Sequence, residues 1–79
     1  MPPDYIALAE VRLWAESGIA RQIRERARLS EAEVAAPIGV TVPTVSRWER
    51  GLRIPRGQAA LRYHALLKSL DKHAQESLA

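Results

Sequence analysis

"EVAAPIGVTVPTVSRWERG", residues 33–51, decides how this chain is read. Its apolar residues fall in two short groups, Val34, Ala35 and Ile38, then Val45 and Trp48, each at the spacing of a helix with one buried side. Between the groups stand Gly39, a natural left-handed stop, and Thr41, an N-cap candidate for the next helix. Pro43 fits the first turn of that helix, where no amide partner is needed, and Gly51 closes it. The small Ala35 lets the two helices cross closely, and Gly39 permits the sharp turn. Together they predict a helix-turn-helix over residues 30–51, a motif that projects its second helix outward.

Working back from this stretch, Ser30 reads as an N-cap with Glu33 completing a capping box. Pro37 cannot donate to the Glu33 carbonyl, so this helix is expected to bend or end early. Before it, Ile19, Ala20, Ile23 and Ala27 share one face of a helix reaching about Arg28, with arginines on the opposite side. Pro3 and Asp4 signal the start of an extra N-terminal helix over residues 4–17. Only Asp4, Glu10, Arg12 and Glu16 interrupt its apolar character, which exceeds a single stripe. It is expected to bury one face in the core and to offer the other to a partner subunit.

Working forward, "LRIPRG" is a loop with Pro55 as a breaker. Residues 57–70 form a last helix in which Leu61, Ala65 or Leu66, and Leu70 keep the helical period. The polar tail, residues 71–79, either frays or extends that helix. No strand pattern competes, so the expected fold is all-α, a compact bundle of about five helices in one domain spanning residues 1–79. Trp14, Trp48, Tyr5 and Tyr63 stand at helical spacing among Leu, Val and Ala, and read as core rather than as a platform for single-stranded nucleic acid.

Composition narrows the chemistry. A chain of 79 residues buries only about 60% of the surface its unfolded form exposes, so each large apolar side chain counts. There is no cysteine, which removes disulfides and thiolate metal sites and suits a reducing, cytoplasmic setting. The start lacks a basic leader and carries Glu10 and Arg12, so it reads as neither a signal peptide nor a membrane span. His64 and His73 are nine apart with no cysteine near, so no metal is expected. Ser46 and Ser69 lack the glycine turn of a hydrolase nucleophile, and the chain is read as a non-enzyme without a cofactor.

The net charge is only +3, yet the basic residues are ten arginines against two lysines. Residues 18–29 hold Arg21, Arg24, Arg26 and Arg28 against Glu25, and residues 42–57 hold Arg47, Arg50, Arg53 and Arg56 against Glu49. Positive charge gathered in two segments is what a polyanionic partner requires. Arginine use also follows genome composition, and totals alone do not separate the two readings.

With these residues in place, residues 23–55, "IRERARLSEAEVAAPIGVTVPTVSRWERGLRIP", resemble the Cro and phage-repressor-like (XRE-like) helix-turn-helix family, and "ALRYHALLKSL" extends the likeness to about Leu70. The resemblance implies a lambda-repressor-like bundle that binds double-stranded operator DNA, commonly as a homodimer. It makes Thr41–Arg50 the recognition helix. Val42, Thr44, Ser46 and Arg47 would contact bases, with Arg47 able to make a bidentate contact to guanine and Pro43 stiffening the start. Thr41, Arg50, Arg53, Arg56 and the amides near Gly57 would contact the backbone. Arg24 and Glu49 correspond to an internal ion pair. Glu31 stands where the family often has a glutamine that helps hold DNA, and its charge would repel phosphate.

Two functional classes follow. One is a sequence-specific DNA-binding transcription regulator, a small Cro-type, plasmid or host repressor without a small-molecule ligand. The other is an antitoxin or similar interaction module whose apolar first helix masks a protein. The paired basic segments favour the first, because DNA needs them and an antitoxin interface does not.

Overall fold

The computed structural model describes residues 4–78, so Pro3 and the last residue of the tail lie outside what is described. Five helices follow one another: α1 (Tyr5–Ser17), α2 (Ile19–Arg26), α3 (Glu31–Ile38), α4 (Val42–Glu49) and α5 (Gly57–Leu78). The fold is all-α, with no strand among the described residues.

Local chemistry explains most of the boundaries. Asp4 caps α1 by accepting from the Ala7 amide at 2.9 Å, and Gly18, at φ 88°, breaks α1 from α2 in a conformation that glycine adopts without steric cost. Ser30 and Glu33 form a full capping box on α3, with Ser30 Oγ accepting from the Glu33 amide and Glu33 Oε1 accepting from the Ser30 amide. Ser30 holds the Glu33 carboxyl below the usual range, through the bond from its backbone amide first and its side-chain hydroxyl second.

The core gathers between all five helices. Val11, Ala20, Val34, Val45, Ala60, Tyr63 and Leu67 are wholly enclosed, and Trp48 stacks on Tyr63 with ring centroids 4.8 Å apart. Such a pair adds about 0.5–1.5 kcal/mol beyond the area it buries. Neither Trp48 Nε1 nor the Tyr63 hydroxyl finds a hydrogen-bond partner among the described residues.

Several expectations need correction. Helix α3 runs through Pro37 and closes one residue later, because Pro37 faces solvent and the missing amide falls in the last turn. Ile19 is 39% exposed rather than inward, and α2 ends at Arg26, since Arg28 turns into the left-handed region at φ 59°. In α5 the enclosed line is Ala60, Tyr63 and Leu67, with Leu66 and Leu70 at its flank, while Leu61 is half-buried and Ala65 exposed. This line packs against α1, α2 and α3, with Tyr63 stacked on Trp48. The tail extends α5 to Leu78. Tyr5 is not core: it is 69% exposed. On α1, Ala7, Val11 and Ala15 are buried, whereas Tyr5, Ile6 and Leu13 point outward.

Candidate nucleic-acid interface

Helix α4 is placed by its buried side. Val45, Trp48 and Glu49 face the interior, so Pro43, Arg47 and Arg50 fall on the opposite line. The turn before it is set by Gly39 at φ 81°, whose amide donates to the Ala35 and Ala36 carbonyls at 3.0 and 3.2 Å. Val40 follows by donating to the Ala35 carbonyl at 3.3 Å. Arg62 on α5 adds a contact to this joint, its Nη1 donating to the Ile38 carbonyl at 3.4 Å.

Of the four residues expected to meet bases, Val42 and Arg47 are exposed, and Thr44 and Ser46 are half-buried on the shoulders of the helix. Thr41 is the N-cap: its Oγ1 accepts from the Thr44 amide at 3.3 Å and lies 2.9 Å from Thr44 Oγ1. When the Thr44 hydroxyl donates in that pair, the Thr41 proton points free, a donor at the positive end of α4. Arg50 is the C-cap residue, with Gly51 behind it at φ 70° and the Leu52 amide donating to the Arg47 carbonyl at 2.9 Å. Arg53 and Arg56 follow on the exposed loop, and Gly57 opens α5 at φ 62°. None of Arg47, Arg50, Arg53 and Arg56 enters an ion pair among the described residues. Arg53 and Arg56 also line one surface groove together with Thr41 and Thr44.

Arg24 and Glu49 tie α2 to the end of α4. Arg24 Nε donates to Glu49 Oε2 at 2.6 Å and Nη2 to Oε1 at 2.9 Å, while Nη1 donates to the Leu29 carbonyl at 2.9 Å. The side chains are 14% and 3% exposed. The hydrogen bond with Glu49 is the main cause that raises the Arg24 guanidinium above its usual range. By contrast, Arg21 pairs with Glu25 at 3.4 Å on the open surface, where such a pair contributes little.

Two contacts have no signature in the sequence. Arg12 Nε donates to the Pro55 carbonyl at 3.0 Å across 43 positions. His64 Nε2 lies 2.7 Å from Glu10 Oε1 and stacks on Trp14 at 5.1 Å, which fastens α1 to α5. Both join residues too far apart in the chain for any periodicity to signal them. Among the described residues, no helix is long and apolar enough to cross a membrane.

A capped helix held from behind, with a free edge and a row of unpaired arginines beside it, defines the helix-turn-helix class. The helix-turn-helix family profile matches residues 21–72, and the chain belongs to this XRE-type family of DNA-binding transcription regulators. Helix α1 lies ahead of the matched segment. Neither the search of curated proteins nor that of solved structures gave a match.

Proposed function

We propose that this protein is a sequence-specific regulator, a small Cro-type or host repressor, that places α4 in the major groove of an operator. The observation that carries this reading is α4 itself: its rear is locked by Val45, Trp48 and Glu49, and its free edge leads into Arg50, Arg53 and Arg56. Arg47 reads a guanine, and Val42 and the Thr44 methyl pack on a thymine methyl. Ser46 reaches a base edge from the shoulder. Thr41, Arg50, Arg53, Arg56 and the Gly57 amide position the duplex without reading it. Occupying an operator excludes polymerase by sterics, and the reading needs no cofactor, metal or small-molecule ligand. Cytoplasmic DNA, in a bacterium or an infected host, is the matching location.

The outward side of α1, Tyr5, Ile6 and Leu13, supports a homodimer through that helix. The same apolar face also favours a second reading, an antitoxin that masks a protein partner. Selection of bound duplexes from a random library separates them. A regulator yields one recurrent site, with two half-sites if it is a dimer. Binding should fall with salt at a log-log slope of about −0.9 per phosphate neutralised. Salt-insensitive or absent binding to the pool removes the DNA reading.

A further inference from the structure

Arg53 and Arg56 ride on a loop with few means of holding its shape. Its flanking side chains Leu52 and Ile54 are 67% and 54% exposed. The loop borders an open cleft of about 390 Å³ lined in part by Arg12, Trp48, Arg53 and Pro55, so packing does not fasten it along its length. Backbone bonds secure only its entry, Leu52 amide to Arg47 carbonyl, and its exit, Ala60 amide to Arg56 carbonyl. Between them, among the described residues, one side-chain hydrogen bond reaches the backbone: Arg12 Nε to the Pro55 carbonyl at 3.0 Å. The Pro55 ring is itself fully buried, so this residue is the loop's single inward foot.

Arg12 is well placed to hold that foot. Its neighbours on the inner side of α1, Val11 and Ala15, are 0% and 2% exposed, which fixes the helix rotation. Arg12 has no acidic partner among the described residues, and a charged donor to a carbonyl makes a stronger bond than a neutral one. We propose that Arg12 is a positioning residue: from a helix ahead of the family-matched segment, it anchors the Pro55 carbonyl and so sets where Arg53 and Arg56 meet the phosphates. The inference rests on the DNA-binding reading for its consequence, and on the loop alone for its mechanism.

The test uses the full chain and Arg12→Met, which keeps the reach and removes the donor. Trypsin cleavage after Arg53 and Arg56 should become faster in the variant, with cleavage after Arg21 and Arg26 unchanged. Affinity for a random-sequence duplex pool should fall about three- to thirtyfold, the range typical of residues acting through others. In an Arg53→Ala/Arg56→Ala background the same substitution should cost less than about twofold, as coupled sites do not add. Unchanged loop cleavage, unchanged affinity, or the full loss persisting in that background overturns the proposal. Should Arg12→Met fail to fold, NMR of the wild-type protein decides: Arg12 Nε–H should exchange with water at least about tenfold more slowly than Arg53 Nε–H, and equal rates overturn it. A wild-type protein that binds no duplex refutes the proposed function, while the cleavage and exchange measurements still decide the anchor.

Discussion

Replacing Glu49 by leucine should remove much of the molecule's stability, and replacing Arg24 by methionine in the same chain should restore most of it. Glu49→Leu leaves a guanidinium that is only 14% exposed without its counter-charge, a loss of about 3–5 kcal/mol for a broken buried pair. Arg24→Met costs a similar amount, because it strands a carboxylate whose side chain is 3% exposed and also frees the Leu29 carbonyl. A chain of 79 residues has a total stability of roughly 4–12 kcal/mol, so either single variant loses about a quarter of it or more. The double variant removes both charges and fills the space with apolar atoms, and should lie within about 2 kcal/mol of the wild type, since such exchanges are often neutral. Urea unfolding followed by tryptophan fluorescence measures all four proteins, with an unchanged m-value showing that the unfolding reaction is the same. A coupling energy below about 0.5 kcal/mol, with the two losses simply adding, would refute the claim that this pair, and not packing alone, locks α4 to α2.

Other expectations concern the cap, the core hydroxyl and the arginine row. Thr41→Ala should cost about 0.5–2 kcal/mol by removing the α4 cap, while Thr41→Ser keeps both stability and binding; equal losses in thermal melts would argue against the cap. Tyr63→Phe should be neutral or stabilising by up to about 3 kcal/mol, because the buried hydroxyl has no partner. Burial first, and the Glu49 charge second, push the Tyr63 phenol well above the usual tyrosine range. A raised folded pKa gives stability that is present below about pH 10, the unfolded value, and lost as pH rises towards the folded one. Tyr63→Phe should therefore flatten the alkaline limb of the stability–pH curve, and an unaltered limb in alkaline urea titrations counts against it. Arg47→Ala should relax base preference at one position, whereas Arg53→Ala should weaken all duplexes alike and lower the salt slope by about 0.9; identical profiles on a duplex array would collapse the distinction between reading and positioning.

Much of this architecture is legible in linear order because its signals are local. Ser30 with Glu33, Gly39 with Thr41, and Asp4 each act on amides within a few residues, so caps and turns fall where spacing places them. Val45 and Trp48 are three apart and both inward, which is the period of a helix at work. Errors appear where rotation about a helix axis matters. Leu61 and Ala65 satisfy the same period as Ala60, Tyr63 and Leu67, and only packing against the other helices, with Tyr63 stacked on Trp48, sets which line is enclosed. Tyr5 looks like core by type, yet it stands on the outward side of α1, which no local rule specifies.

By itself the sequence determined an all-α bundle of about five helices, their order, the helix-turn-helix and the buried side of its second helix, since caps, breakers and a 3.6-residue period act within one or two turns. Tertiary structure alone decided what stands behind that edge. The Arg24–Glu49 geometry, the Arg12 hold on Pro55 and the Glu10–His64 contact each join parts of the chain 25 to 54 residues apart. Such contacts form only when packing brings the helices together, because their partners are chosen by proximity in space and leave no periodic trace along the chain.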